Sequence, residues 1–597
     1  MLYYYNIKKK RRWRSKKWFF AAILSIGVWA YFYIGSFANV ANDMFPGLQN
    51  QILPGFHTNI DPANSSVKPK VLKSGAAIDS MTLDKMQKAK LDFEKEGRLR
   101  EANELAFCLE LLAKMKDEKQ SPASKKREKV ITKDIINTIN YFRAGNTASR
   151  TAQILGNYDE GDLAYVYYPN YGVHFNPVTT ANMAIDKYEK REYKDVVKIA
   201  DALLDNAILG QYPEVGPYYL WENYFDLEFG PYKFSAPWHS GMAQGLILDV
   251  VGKAYEITGN RKYLKEGDLI LNSFKISWKD GGVTQTDEYG NWYLEIAATD
   301  KIKILNGFLF TLTGMNSYYE TTKSLKVKKL FDSGVNEVAA HVQEYDLGYW
   351  SNYSVLPGNK ANYGYHKIHV DLLKRLYDAS KNKKIEQYTN KFDFYLNNRF
   401  IDVPPTHPSF ASISFLTERG IIRNTDGWFS AKNDISRADF IRWLALSNKW
   451  KPATVYKGRY RDIWRDNENW PYVESAYEHG LNLADRNGNL RPSDPLTRAE
   501  VAWILCKVFK LDIEQAEEIE PVAAKDIVGN PFEKQIRIAV YNKFIDLFEP
   551  NYFRPDININ REQAANIIYR IISNTGHDAG SEESSPGRAE AKSEQNQ

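Results

Sequence analysis

Three segments towards the C-terminus repeat one pattern: Gly427-Trp-Phe-Ser-Ala-Lys-Asn-Asp-Ile-Ser-Arg437, Gly488-Asn-Leu-Arg-Pro-Ser-Asp-Pro-Leu-Thr-Arg498 and Asn551-Tyr-Phe-Arg-Pro-Asp-Ile-Asn-Ile-Asn-Arg561. Each keeps an apolar residue third, another ninth and Arg last, and an apolar helical run follows. A recurrence of about sixty residues marks one small unit used three times. Pro or Asp in the middle of the motif sets a turn. Ser436, Thr497 and Asn560 stand at helix N-caps, and Arg437, Arg498 and Arg561 open the helices. This predicts three guanidinium groups beside turns with free backbone N–H groups, a fit for the carboxylates of an acidic glycan.

The repeat resembles the S-layer homology module, whose members hold bacterial proteins to secondary cell-wall polysaccharide. Asp462-Ile-Trp464 and Trp470 look like that family's opening segment in the second copy. The third copy keeps Lys525-Asp526-Ile527, with Phe532 near the place of Trp, whereas the first, taken from Ser409, lacks an acidic opening. The resemblance implies wall-glycan binding through Arg437, Arg498 and Arg561. Asp485, Asn487 and Asn489 suggest a calcium loop only superficially, because Leu490 and Leu496 occupy the positions that need Gly and a bidentate Glu.

At 597 residues the chain is long enough for two or three cores. The net charge of +5 is small for this length, and eight of the basic residues lie between Lys8 and Lys17. The body is close to neutral and no nucleic-acid partner is expected. That basic run precedes an apolar stretch from Trp18 to Gly35, the pattern of an export signal with positive-inside orientation. Its length suits a retained membrane anchor, whereas Ser36-Phe37-Ala38 suits cleavage, which a wall-binding module favours; either way the remainder is extracytoplasmic, at the cell wall or S-layer, and touches membrane only through this segment. Residues 1–42 are read as signal or anchor, 43–132 as a charged spacer with exposed helices, 133–402 as a catalytic domain, 403–574 as the repeats and 575–597 as a disordered tail. Cys108 and Cys506 are read as packed thiols.

From about Ile135 to Phe400, amphipathic helices alternate with loops rich in Tyr, Gly, Pro and Asn. Predicted helices include Thr179–Lys190, Tyr193–Ile208, Met242–Thr258, Tyr263–Ser277, Ile302–Thr313, Ser324–Tyr345 and Ile368–Ala379, with few alternating runs between them. The fold class is mainly α: an (α/α) toroid-like domain, then three helical repeats. An aromatic content of 14% suits a carbohydrate-facing surface.

Three stretches then resemble the C-terminal domain of D-glucuronyl C5-epimerases. They are Pro237-Trp-His-Ser-Gly-Met-Ala-Gln-Gly245 with Thr258 to Tyr263, Trp292-Tyr-Leu-Glu295 with Leu305-Asn-Gly-Phe308, and Tyr345-Asp346 with Tyr353 and Tyr365-His-Lys-Ile-His369. The resemblance covers roughly Tyr165 to Leu376, without an evident N-terminal β-rich region. It implies inversion of D-glucuronate to the L-iduronate configuration in a polysaccharide, without a cofactor; a homodimer is compatible with it. The reaction removes a proton alpha to a carboxylate and returns one to the other face, so it needs two proton-handling groups and donors for the developing aci-carboxylate. By the resemblance, Tyr353, Tyr365 and Glu295 are catalytic; a tyrosine can serve if neighbouring donors or cations lower its pKa. His366, His369, Trp238, Gln244 and Asn306 are candidates for binding substrate, although Trp238 and Gln244 also read as a packing pair at a helix start. The chain departs from the family at Ile296, where a third tyrosine is expected, and at Tyr353-Ser-Val-Leu356, which lacks a basic residue.

Other readings compete. His366 and His369 lack a third ligand motif, so no metal is assigned and hydrogen-bonded histidines are expected. Asp226, Glu228, Asp287 and Glu288 offer acids for a hydrolase, and a lyase shares the C5 proton abstraction. A non-catalytic glycan-binding wall protein is the further alternative.

Overall fold

The computed structural model describes residues 70, 80–116, 121–158, 161–519 and 522–574. The expected signal or anchor and the expected tail lie outside the described residues. Among the described residues no helix is long and apolar enough to cross a membrane. The chain divides into two compact units, one ending at Phe392 and the other running from Asp393, with the short 348–350 segment grouped with the latter.

The first unit opens with helices α1 (Leu83–Lys95), α2 (Leu99–Lys116) and α3 (Pro122–Arg143). These were expected as an exposed spacer, and the structure corrects that. Met86, Ala89 and Phe93 bury one stripe of α1, and Leu105, Cys108 and Leu112 one of α2. Most of the Lys and Glu residues that suggest solvation occupy the outer faces, with Glu101 and Glu104 of α2 the buried exceptions. Buried Glu104 accepts from the Tyr167 phenol at 2.8 Å, tying α2 to the strand β2 (Tyr165–Tyr168).

Strands β1 (Gln153–Gly156), β2 and β3 (Gly172–Phe175) form an antiparallel sheet in that order. Four two-stranded pieces follow: β4 (Ile208–Tyr212) with β5 (Gly216–Leu220), β6 (Glu222–Asn223) with β9 (Trp238–His239), β7 (Leu227–Phe229) with β8 (Tyr232–Phe234), and β10 (Thr284–Thr286) with β11 (Asn291–Tyr293). These strands are short, and the fold remains mainly α. All four residues of β2 and of β3 are buried, so neither shows the apolar–polar alternation of a half-exposed strand.

Consecutive helical pairs build the rest: α4 (Pro177–Glu189) with α5 (Tyr193–Asp205), α6 (Gly241–Thr258) with α7 (Lys262–Ser273), and α8 (Leu305–Thr322) with α9 (Leu325–His341), then α10 (Tyr363–Ser380) and α11 (Lys383–Asn398). The first helices of the pairs also pack in succession, α4 on α6, α6 on α8 and α8 on α10. This is the (α/α) toroid-like layering expected from the helical periodicity. Asn176, Ser240 and Asn362 cap α4, α6 and α10 by accepting from backbone N–H groups two or three residues into the helix. The α6–α8 contact is unusually close. A Cβ on Gly314 would lie 2.1 Å from the Gly245 carbonyl oxygen, and one on Gly245 would lie 2.6 Å from the Thr311 Cα. Only glycine at these two positions lets the backbones meet.

The second unit holds the helices α12 (Phe410–Glu418), α13 (Arg437–Ser447), α14 (Trp470–Glu478), α15 (Arg498–Val508), α16 (Glu533–Tyr541) and α17 (Arg561–Asn574), with α13 packed on α14, α15 on α16 and α12 on α17 around one shared apolar core. Ser436, Thr497 and Asn560 accept from Asp439 N, Glu500 N and Gln563 N, as the motif predicts for N-caps.

Candidate functional site

In the first unit, Tyr353, Tyr365, Trp238 and Ile296 meet in one buried aromatic and aliphatic cluster with Phe225 and Phe229. The Tyr353 and Tyr365 rings meet edge to face with centroids 4.9 Å apart. Tyr365 lies in the first turn of α10, its N–H donating 2.9 Å to the Asn362 cap. Tyr353 lies in the preceding loop, and its carbonyl accepts from Leu305 N at 3.1 Å, so it also fixes the start of α8.

Glu295 follows β11 in a bend held on both sides: Gly241 N donates 2.7 Å to the Leu294 carbonyl, and Ala297 N donates 3.0 Å to the His239 carbonyl. Its carboxyl group is buried against Gly307, where any Cβ would lie 1.8 Å from Oε2. Neither carboxyl oxygen has a hydrogen-bond partner among the described residues. Burial alone pushes this acid up to about 8. Asn306, in the first turn of α8, faces the Tyr353 phenol, and its buried Oδ1 also lacks a partner.

The condition that neighbours lower the tyrosine pKa values is not met here. Both phenols are held well above their ordinary value, first by burial and then by the negative charge that Glu295 carries when ionised. The sequence supplies the phenols and the carboxyl but does not reveal how deeply folding desolvates them.

His366 and His369 are fully buried on α10 and both point Nδ1 at Ser351 Oγ, at 2.7 and 2.9 Å. The Phe392 carbonyl lies 3.0 Å from His366 Nε2, which must therefore carry a proton. Its Nδ1 then accepts the Ser351 proton, and His369 donates from Nδ1 to the same hydroxyl. Both rings are neutral: burial brings His366 down to about 3 and holds His369 well below its ordinary value. They act as hydrogen-bonding support, as expected, but they support the loop carrying Tyr353 and do not present free donors to a ligand. Trp238 donates to the Phe225 carbonyl at 2.9 Å, and the Gln244 amide spans Tyr219 O and Trp221 N, at 3.2 and 3.1 Å. Both are packing residues at the start of α6. Among the acids considered for hydrolysis, Asp226 accepts from Ala236 N and Glu228 pairs with Lys233, so they serve local turns.

In the second unit the three arginines form a closed set of joints. Arg437 donates from Nη2 to Glu500 of the second repeat, at 2.7 Å. Arg498 donates to the Phe553 and Asp546 carbonyls of the third, and Arg561 donates from Nε to the Phe429 carbonyl of the first, at 2.8 Å. Their backbone N–H groups follow the same circuit, to Asp494, Ile557 and Asn433 carbonyls. The turn N–H groups expected to be free are thus engaged by the next repeat, because the repeats close on one another. The acidic opening missed in the first copy is Asp402, set aside by a boundary drawn at residue 402. It accepts from Phe429 N and Ser430 N, as Asp462 does from Leu490 N and Arg491 N, and Asp526 from Phe553 N and Arg554 N. Sequence reading also passed over Arg442. It is buried, it lies over the Tyr472 ring at 5.7 Å, and its Nε and Nη2 have no hydrogen-bond partner among the described residues. Asn469, whose Oδ1 is likewise without a partner, is held by Asp439 of the first repeat.

Residues 216–393 match the family model of the D-glucuronyl C5-epimerase C-terminus, and residues 399–441 and 464–502 match that of the S-layer homology domain. The chain joins a segment of the first family to domains of the second, and the third repeat continues the pattern structurally beyond the matched residues. Among curated relatives it is 30% identical over 177 residues to a D-glucuronyl C5-epimerase of Caenorhabditis elegans, covering 26% of this chain and 29% of the relative. It is 27% identical over 172 residues to an uncharacterised protein of Methanocaldococcus jannaschii, covering 28% and 56%. The chain thus spans about half or less of the length of these relatives. Among solved structures it is similar to a family 76 glycoside hydrolase of Bacteroides thetaiotaomicron, at 11% identity and a TM-score of 0.28, covering 65% of this chain and 100% of that one. A cellobiose 2-epimerase of Spirochaeta thermophila gives 11% and 0.24, covering 64% and 98%. Nothing about substrate follows from likenesses so distant.

Proposed function

We propose that this is an exported, cell-wall-attached protein that inverts C5 of D-glucuronate residues in an acidic polysaccharide. The observation carrying this reading is Glu295, a carboxyl group that burial brings to about 8 and whose charge acts on the phenols of Tyr353 and Tyr365. Near pH 8 both its forms are populated, the condition for a group that must accept and release a proton. In the forward direction ionised Glu295 takes the C5 proton and becomes the neutral acid. The Tyr365 phenol, kept protonated by its environment, delivers a proton to the opposite face and becomes a phenolate. A proton then passes from Glu295 to that phenolate, restoring the starting forms. Asn306 is the polar side chain at hand for the substrate carboxylate as its charge builds.

Wall attachment is supported by the matched S-layer homology domains. The proposed contact for an acidic wall glycan is Arg442 with Asn469 and Tyr472, where a buried guanidinium retains unused donors beside an aromatic ring. Arg437, Arg498 and Arg561 serve this binding by closing the ring.

The test is incubation of the full-length protein with uronate polysaccharides in deuterated water, followed by NMR at C5. Deuterium at C5 of an intact chain is expected. A second reading, a glycan-binding wall protein without turnover, is favoured by Ile296 in the place of the family's tyrosine. Binding without exchange or cleavage across a broad glycan panel would establish it. Unsaturated uronate ends would instead identify a lyase, and new reducing ends without them a hydrolase.

A further inference from the structure

The β10–β11 hairpin meets α9 through a cluster separate from the tyrosine site. Asp287 closes the hairpin turn, with Oδ1 accepting from Tyr289 N at 2.8 Å and Gly290 N at 3.3 Å. Its Oδ2 faces His341 Nε2 at 3.3 Å. Glu337 and His341 lie four residues apart on α9, with Glu337 Oε1 3.8 Å from the same Nε2. One ligand-type atom from each of Asp287, Glu337 and His341 lies within 4.8 Å of the others.

Glu337 is the second, independent observation. Its residue is 0% exposed, and neither carboxylate oxygen has a hydrogen-bond partner among the described residues. The nearest ammonium, Lys303 Nζ, is 3.5 Å from Oε1 and also sits over the Trp292 ring at 5.1 Å. A carboxylate buried without hydrogen bonds is costly, and this one faces another acid.

The third element is the orientation of the imidazole. His341 Nδ1 lies 2.5 Å from Glu344 Oε1. With its Nδ1 proton given to Glu344, the ring turns an Nε2 lone pair towards two carboxylates. That arrangement is repulsive unless a proton or a cation lies between them. A carboxylate, an imidazole and a metal in sequence are a recurrent second-sphere pattern.

We infer that Asp287, Glu337 and His341 form a binding site for a first-row divalent cation of the zinc type, with Glu344 as the residue that positions His341. One imidazole with two carboxylates suits such an ion better than calcium, which takes oxygen ligands alone. The separations of 3.3 and 3.8 Å from Nε2 to the two carboxylate oxygens are of the order that ligand atoms keep around one ion with bonds of about 2.0–2.2 Å. The ion would fasten β11 to α9, and β11 runs directly into the bend carrying Glu295. The inference stands independently of the proposed reaction.

The test uses the full-length protein, stripped with a chelator, desalted and titrated at pH 7.5 with Zn2+ alone and separately with Ca2+ alone. Calorimetry reads affinity, elemental mass spectrometry counts bound metal, and thermal unfolding reads the stability gained. One equivalent of Zn2+ and a raised melting temperature are expected, with affinity at least about tenfold weaker in His341→Ala and Asp287→Asn. Glu344→Gln should weaken it about 10–100-fold. His341 and Asp287 are partly exposed, at 18% and 23% of their side chains, so their replacement spares the core. Asp287→Asn also keeps the turn's acceptor oxygen should His341→Ala fail to fold. No bound Zn2+, Zn2+ binding unchanged in both variants, or one-to-one Ca2+ binding in its place would overturn the assignment, the first leaving an imidazolium as the bridge.

Discussion

Tyr365 presents its ring edge to face with that of Tyr353, 4.9 Å between centroids, and both phenols feel the charge of buried Glu295. The geometry makes the two tyrosines separable by mutation. Tyr365→Phe keeps the ring contact and removes only the phenol. C5 exchange should fall by about 10²-fold or more with the melting temperature nearly unchanged. Unaltered exchange would remove this phenol from the proposed mechanism.

Glu295 ties stability to pH. An acid raised to about 8 in the folded state, against an ordinary value of 4.5, keeps its proton when folded and loses it when unfolded between those limits. The folded state binds more protons there, so stability should decline as pH rises from about 4.5 to 8. The contribution is on the order of a few kcal/mol. Glu295→Gln should flatten this part of the profile, measured by denaturant unfolding at a series of pH values, while abolishing exchange. A difference between variant and parent that does not vary with pH would show that Glu295 is not raised.

Ser351 serves two histidines through one oxygen. Ser351→Ala leaves buried nitrogens of His366 and His369 without their partner, at a cost of about 2–4 kcal/mol. The loop carrying Tyr353 should loosen, seen as faster amide exchange from Asn352 to Ser354. Equal protection in parent and variant would deny the hydroxyl its bracing role.

Arg498→Ala removes two hydrogen bonds to carbonyls of the next repeat and leaves the buried Phe553 carbonyl without its donor. The repeat unit should lose about 2–4 kcal/mol and bind cell-wall preparations less well, with C5 exchange on soluble polysaccharide retained. Arg442→Ala should weaken wall binding with a smaller loss of stability, since its Nε and Nη2 engage no protein acceptor. Wall binding by Arg442→Ala equal to that of the parent would remove this residue from the proposed glycan contact.

The repeats were legible because each copy uses the same cap, the same Arg and the same turn at constant spacing, and local chemistry of that sort survives in sequence. Asp402 was missed although Phe400-Ile401-Asp402-Val403 has the opening pattern, because its partners, Phe429 and Ser430, lie 27 and 28 residues further on, beyond helix α12. The helical pairs of the first unit followed from 3.6-residue periodicity. The short strands did not, since β2 and β3 are covered on both faces. Tyr353, Tyr365 and Glu295 were found through family resemblance, and the structure brings them together. Their ionisation could not be read in advance, because desolvation depends on what surrounds a side chain after folding. Asp287, Glu337 and His341 had no signal as a group, being divided between a hairpin and a helix.

Because Arg561 reaches back to the Phe429 carbonyl, the last repeat grips the first as each earlier one grips its successor. A loop with no physical beginning is indifferent to where the polypeptide is cut. A cyclic permutant starting at the second copy and ending with the first should assemble the same three joints, whereas deletion of any single copy leaves two cut faces and should cost more than one repeat's share of the stability.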